Sequence, residues 1–84
     1  MDEIEVRLAG CFSAVFSNLT TGEIIKASSN SVHDWDSVAS VALLAVVEEE
    51  FGIRIETEDL ARFNSYDDFL SYLRETVAPS MSLN

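Results

Sequence analysis

Asp36 and Ser37 stand where a polar, irregular segment gives way to a long apolar run. This pattern is typical of a helix N-terminus, because short polar side chains there accept hydrogen bonds from free backbone N–H groups. The same N–H groups and the helix dipole also favour a bound or attached anion. Ser37 can therefore act as a simple cap, or its hydroxyl can carry a phosphate ester. The pattern by itself leaves both roles open, and Asp36 can cap the helix, present its charge to a partner, or do both.

His33 lies four residues before Ser37 and raises the question of a nucleophile and base pair. Such a pair needs a third orienting group and an oxyanion hole, and no motif for either occurs in this chain. We therefore assign no catalytic residue and interpret His33 as a loop residue. The acidic clusters lack the alternating spacing and central glycine of an EF-hand, so no metal site is predicted. The chain is not expected to be an enzyme.

The run from Val38 to Val47 is apolar except for Ser40. At about 100° per residue one face of this helix forms the core face, with Leu43, Leu44, Val47 and Phe51. Four other apolar residues lie on a second face of the helix. An 84-residue chain has few other residues that could pack against this face. We call this second face the apolar strip, and it consists of Val38, Val41, Ala42 and Ala45. Glu48 and Glu49 continue it, as expected of a surface that recognises another protein. The alternative is that neighbouring helices and the long loop cover the strip completely.

Periodicity and capping residues predict an all-α class with three longer helices and one short one. The predicted elements are a first helix over Ile4–Phe16, a second from Asp36-Ser37 to Phe51-Gly52, a short third over Thr57–Phe63 and a last over Tyr66–Thr76. A long ordered loop is predicted over residues 23–36, held by the apolar anchors Ile24, Ile25, Val32 and Trp35. Residues 1–77 are predicted to form a single domain, and residues 78–84 a flexible C-terminal tail.

The chain has 15 acidic and 5 basic residues, hence a formal charge of −10. This charge argues against nucleic acid and anionic membranes and favours partners with basic patches. No apolar run approaches the roughly 20 residues of a membrane span. Cys11 is the only cysteine, so no intrachain disulfide is possible. We expect a monomeric, cytoplasmic protein.

The motif Asp36-Ser37-Val38 is followed at a fixed distance by Glu48-Glu49-Glu50-Phe51-Gly52-Ile53. This pattern resembles the acyl carrier proteins, in which an Asp-Ser-Leu motif opens the second helix, and the resemblance runs from Trp35 to Leu73. It implies a four-helix bundle with a short third helix. It also implies that a phosphopantetheinyl transferase attaches 4′-phosphopantetheine to Ser37, and that acyl-transferring and condensing enzymes with basic patches are the other partners. The residues that match partner-recognition positions are Asp36, Val38, Glu48 and Glu49.

The resemblance further implies that acyl groups travel as thioesters on the phosphopantetheine arm, in fatty-acid, polyketide or other specialised lipid biosynthesis. The core between the helices is then expected to open and shelter an acyl chain. The residues expected to line this acyl pocket are Leu43, Val47, Phe51, Ile55, Phe63 and Leu73.

Several positions depart from the pattern of the housekeeping carriers. Trp35 stands where a small residue is usual, and Ala39 and Ala42 stand where acidic residues are common. These differences suggest a specialised carrier with dedicated partners, and we interpret Trp35 as a packing anchor. Two alternatives stay open, namely an aminoacyl or peptidyl carrier and an unmodified acidic helical adaptor. The adaptor would bind a basic protein through Val38, Val41 and Ala45.

Overall fold

The structure of this protein is a computed structural model that describes residues 2–77. Its elements in chain order are α1 (Glu3–Val15), α2 (Thr21–Ile24), α3 (Ser37–Phe51), a 3₁₀-helix (Thr57–Arg62) and α4 (Tyr66–Thr76). Within this range no strand occurs, and the only β feature is an isolated antiparallel bridge between Ser28 and Ser65. The predicted all-α class is confirmed. The predicted tail over residues 78–84 lies outside the described residues.

Side-chain caps fix where the helices begin. Asp2 caps α1, since its carboxylate accepts the Glu5 N–H at 2.9 Å and the Glu5 carboxylate accepts the Asp2 N–H at 3.2 Å. The hydrogen bond from the Glu5 N–H and the hydrogen bond from the Arg74 guanidinium hold the pKa of the Asp2 carboxyl below its usual value. The Ser65 hydroxyl caps α4 by accepting the Asp68 N–H at 3.0 Å. The first helix therefore begins one residue before its predicted start at Ile4, and the last helix begins at its predicted start, Tyr66.

The one-turn helix α2 was not predicted, and the prediction of a loop beginning at residue 23 is wrong at this point. Thr20 and Glu23 form a reciprocal capping box, with N–H to oxygen distances of 2.8 Å and 3.2 Å. Such a box can order one turn by itself, too short a stretch for hydrophobic periodicity to reveal. The turn places Ile24 in the core, where it is buried.

The loop after α2 is ordered by hydrogen bonds to the start of α4. Ser29 donates its N–H to the Asn64 carbonyl at 2.7 Å, and Tyr66 donates its N–H to the Ala27 carbonyl at 3.0 Å. The predicted anchors of this loop are not equivalent. Ile24 and Trp35 are buried, whereas Val32 is half-buried and Ile25 is exposed, because only those side chains that face α1 reach the core.

Phe12 of α1 is the centre of the core and is fully buried. Its ring lies 5.4 Å from Tyr66, 5.5 Å from Trp35 and 5.6 Å from Phe69, each in an edge-to-face arrangement. The Tyr66 hydroxyl donates to the Glu5 carbonyl at 3.0 Å, and burial raises its pKa to about 12. Residues from the loop and from α4 thus meet on one side chain of α1.

Arginine side chains join helix ends on the surface. Arg7 of α1 donates through Nε to the Glu50 carboxylate at 2.8 Å and through Nη2 to the Glu50 carbonyl, and its guanidinium covers the Phe51 ring at 4.5 Å. Arg74 of α4 contacts the Asp2 carboxylate at 2.8 Å. Each arginine connects α1 to another helix, although such exposed ion pairs contribute little stability individually.

Replacing Gly10 by alanine should stabilise the protein, whereas the same change at Gly52 should destabilise it. A Cβ atom at either position would meet nothing within 4 Å, so packing does not decide the outcome. Gly10 lies inside α1, where glycine costs up to about 1 kcal/mol relative to alanine. Gly52 ends α3 with φ 65°, a left-handed conformation that costs an alanine about 1 kcal/mol or more.

The free energy of unfolding of both variants, measured by urea titration, tests this expectation. Effects of the same sign at Gly10 and Gly52 would contradict it, because then the backbone conformation would not distinguish the two positions.

Candidate functional site

Asp36 is the N-cap of α3, and Ser37 is the first residue of the helix. The Asp36 carboxylate accepts the Ala39 N–H at 2.9 Å, and the Asp36 carbonyl accepts the Ser40 N–H at 2.9 Å. Ser37 is exposed, and no hydrogen bond links its hydroxyl to another group of residues 2–77. The possibility that Ser37 is the cap is therefore wrong, since Asp36 fills that position. The Ser37 hydroxyl is left accessible at the end of the helix where anions are favoured.

Trp35 fixes the segment that leads into Ser37. Its indole Nε1–H donates to the Ser40 hydroxyl at 2.8 Å, which ties the loop to the first turn of α3. Its ring packs on Phe12 and Phe16 at centroid distances of 5.5 Å and 5.7 Å. The interpretation of Trp35 as a packing anchor agrees with its burial in the core. Because the anchor lies directly before Asp36, the backbone at Ser37 is held from both sides.

The predicted apolar strip is exposed. Val38 and Val41 have 76% and 56% of their surface accessible, and Ala42 and Ala45 are also exposed. Ala39, which stands where acidic residues are common in the housekeeping carriers, is half-buried and packs against the core. The first turn of α3 faces the core through Ala39, so a small residue is needed at this position.

The core face of α3 is as predicted for three of its four residues. Leu43, Leu44 and Val47 are buried, whereas Phe51 is half-buried under the Arg7 guanidinium.

The residues expected to line an acyl pocket all lie in or against one hydrophobic core. Five of them are buried, and Phe51 is half-buried at the edge. The predicted set is Leu43, Val47, Phe51, Ile55, Phe63 and Leu73. Phe63 stacks on Phe69 with their ring centroids 4.7 Å apart. Side chains of α3, the segment after it and α4 thus pack together in one core. An acyl chain that entered this core would have to separate them.

The two predicted acidic recognition residues differ in their surroundings. Glu49 is exposed, whereas Glu48 is half-buried and its carboxylate accepts the Ile55 N–H at 2.7 Å. Sequence analysis missed this intramolecular bond. The signal was a carboxylate one turn before Gly52, since a helix-ending glycine reverses the chain and brings the next N–H groups back toward the last turn.

Among residues 2–77, the other titratable and nucleophilic side chains do not cluster into a second site. His33 is exposed in the loop before α3, at the edge of a shallow groove whose lining also includes Glu23 and Lys26. Cys11 is buried, and burial raises the pKa of its thiol to about 11, so it is almost entirely protonated near neutral pH. Within residues 2–77, no group of three or more His, Cys, Asp or Glu side chains is placed to hold a metal ion. None of the helices described has the length and apolarity needed to cross a membrane.

Comparisons of the chain with protein-family models, with curated proteins and with solved structures gave no match. A functional assignment therefore depends on the chemistry of the site itself and on the motif around Ser37.

Removing the cap should destabilise the protein, whereas removing the Ser37 hydroxyl should not. Asp36→Ala loses the bond to the Ala39 N–H and should cost about 1 kcal/mol, while Asp36→Asn keeps an acceptor oxygen and most of the stability. Ser37→Ala changes an exposed side chain and should stay within about 0.5 kcal/mol of the wild type.

The free energy of unfolding of each variant is measured by urea titration, and its dependence on urea concentration should match that of the wild type. If Ser37→Ala cost as much as Asp36→Ala, the hydroxyl would have a structural role, and its availability for modification would lose its main support.

Proposed function

We propose that this protein is an acyl carrier protein with an acyl-carrier-like four-helix bundle, and that Ser37 carries 4′-phosphopantetheine. The observation that carries the proposal is the start of α3. Asp36 supplies the cap, Trp35 holds the preceding segment, and an exposed serine hydroxyl with no structural bond remains. The motif resemblance identifies the same serine. The chain itself is proposed to be a non-catalytic, cytoplasmic carrier whose partners perform the chemistry.

The surroundings of Ser37 fit a phosphate ester. Its oxygen lies at the first position of a 15-residue helix, where free N–H groups and the positive end of the dipole offset negative charge. The neighbouring Asp36 carboxylate, which accepts the Ala39 N–H, would oppose this effect by repelling a phosphate. The attached group would supply a terminal thiol that holds an acyl group as a thioester. The protein's role is to keep the serine exposed and its backbone fixed.

The apolar strip beside Ser37 supports the proposal that partner enzymes dock on α3. Val38 and Val41 present apolar surface, and Asp36 and Glu49 add exposed negative charge at its edges. A complementary surface would have an apolar centre and a basic rim, as proposed for the transferase and for acyl-transferring and condensing enzymes. The charge of −10 would steer such partners toward the chain. A long flexible arm then raises the effective concentration of the cargo at the partner's active site.

Incubation with a broad-specificity phosphopantetheinyl transferase, coenzyme A and Mg²⁺ should add one phosphopantetheinyl group to the wild type. Intact mass spectrometry measures the gain. Ser37→Ala should show none, because it lacks the accepting oxygen. Ser71→Ala is the matched control and should still be modified, since it removes an exposed serine hydroxyl from a different helix, α4.

A folded wild-type protein that gains no mass would overturn the carrier proposal. The exposed apolar strip would then favour the second candidate, an unmodified adaptor for a basic protein, because that strip is available to a partner whether or not Ser37 is modified. Cargo is a separate question, and loading of the modified chain with acyl or aminoacyl groups distinguishes an acyl carrier from an aminoacyl or peptidyl carrier.

A further prediction concerns the acid missing at Ala42. Ala42 is an exposed residue of the strip, so Ala42→Glu should add a solvated negative charge to the docking surface without disturbing the core. One solvated pair contributes about 0.5–1 kcal/mol, so loading by a fatty-acid acyl transferase should rise about 2- to 5-fold at low salt. The gain should disappear at high salt.

Ala14→Glu is the matched control for the Ala42 variant. It makes the same change of charge at an exposed position of α1. Equal loading rates of the two variants at low salt would show that net charge, and not the position beside Ser37, governs recognition.

A further inference from the structure

Ser40 binds two residues that precede Ser37. Its backbone N–H donates to the Asp36 carbonyl at 2.9 Å, which is a helical bond between residues four apart. Its hydroxyl accepts the indole Nε1–H of Trp35 at 2.8 Å, and we call this contact the Trp35–Ser40 bond. The side chains of residues 35 and 40 therefore close a ring of chain, and Ser37 lies inside that ring.

The first turn of α3, residues 37–40, has few other restraints. Ser37 and Val38 are exposed, and Ala39 is half-buried. Among residues 2–77, the Trp35–Ser40 bond is the only side-chain hydrogen bond from this turn to a residue before its cap. Helix ends with little burial open at low free-energy cost. The Trp35–Ser40 bond is therefore a main restraint on the turn that carries Ser37.

Trp35 connects this restraint to the core. Its ring is buried, with its centroid 5.5 Å from that of Phe12 and 5.7 Å from that of Phe16. Its backbone N–H donates to the Val32 carbonyl at 3.1 Å. The indole is thus held by α1 and by the loop, so its N–H is a fixed point for the Ser40 hydroxyl. A phenylalanine at position 35 would keep an aromatic ring in the core without offering an N–H.

We propose that Trp35 and Ser40 are positioning residues for the modification of Ser37. The inference rests on the proposed function, since it takes Ser37 as the serine that the transferase modifies. The Ser37 hydroxyl makes no hydrogen bond within residues 2–77, so the backbone of the first turn alone determines where its oxygen lies. The Trp35–Ser40 bond keeps that backbone helical and the oxygen in place.

The reaction depends on an accurately placed oxygen. The Ser37 oxygen forms a bond to the phosphorus of coenzyme A that bears the pantetheine arm. The bond from this phosphorus to the departing adenosine bisphosphate breaks, and the serine proton passes to a base of the transferase. A first turn that opens for part of the time offers the oxygen in the reactive position in only a fraction of molecules. The apparent affinity of the transferase then falls in proportion to that fraction.

Variants at Ser40 test the bond directly. Ser40→Ala removes the acceptor, so kcat/KM for modification by the transferase should fall about 2- to 10-fold, through a higher KM for the chain and with little change in kcat. Ser40→Thr keeps the hydroxyl and should restore most of kcat/KM. Intact mass spectrometry follows the reaction at several concentrations of the chain, with coenzyme A and Mg²⁺ in excess.

A double variant and a matched control separate this effect from a general loss of stability. Trp35→Phe should also lower kcat/KM, and Trp35→Phe/Ser40→Ala should be no slower than the slower single variant, because both changes remove the same bond. Gly52→Ala is the control, since it is expected to destabilise α3 at its opposite end. Its kcat/KM should equal that of the wild type.

Hydrogen exchange measures the opening of the first turn without the transferase. Trp35 is the only tryptophan, so its indole N–H gives a single NMR signal. The Ala39 N–H, which donates to the Asp36 cap, is the second reporter. In Ser40→Ala both groups should exchange about 2- to 10-fold faster than in the wild type. In Gly52→Ala both rates should stay near those of the wild type.

Equal kcat/KM values for the wild type and Ser40→Ala would overturn the inference. An equal loss in Gly52→Ala, multiplied losses in the double variant or unchanged exchange in Ser40→Ala would overturn it as well. A folded wild type that gains no mass contradicts the carrier proposal, and this inference falls with it. A wild type that is modified at the same rate as Ser40→Ala keeps the carrier function and loses this inference alone.

Discussion

Helix α3 has more apolar surface than the rest of residues 2–77 covers. Leu43, Leu44 and Val47 are buried against α1 and the elements that follow α3. A chain of 84 residues is small and has few further residues to pack on the other face of α3. Val38 and Val41 then stay in contact with water, although burying each would be favourable by about 1.5–3 kcal/mol. A molecule that covered the strip would recover that free energy. The proposed docking surface follows from this imbalance.

The first turn of α3 divides its tasks among neighbouring residues. Asp36 satisfies a free N–H group, Trp35 closes the loop onto the aromatic core, and Ser40 accepts the indole N–H. Each of these residues is engaged in a contact that holds the backbone, whereas Ser37 lies between them without one. A modification of Ser37 would therefore disturb no bond that holds the fold. This separation of structural and functional side chains makes the serine suitable for carrying a group.

Negative charge is abundant in this chain, and two of its five basic residues join helices. Arg7 joins α1 to the end of α3, and Arg74 joins the start of α1 to α4. Glu48 shows that an acidic side chain can also serve inside the molecule, since its carboxylate orders the turn after α3. Glu48, which the sequence suggests is a surface charge, thus has a hydrogen-bond partner within the fold.

The sequence by itself determined the helical class, the ends of α3, its core face and the exposed strip. These follow from local chemistry, namely the two possible capping residues Asp36 and Ser37, the helix-ending glycine at Gly52 and an apolar pattern that repeats with the helical period. The candidate serine was also visible from its neighbours alone. The short helix α2 escaped because its signal was a single capping box, and periodicity needs several turns.

Only the tertiary structure decided which loop anchors are buried, that Ala39 faces the core, and that Glu48 binds the Ile55 N–H. It also decided that Asp36, and not Ser37, is the cap. Each of these depends on where separate segments come together in space, or on a choice between adjacent residues of similar propensity. Periodicity assigns a residue to a face of its helix, but the contacts of that face are set by the rest of the chain.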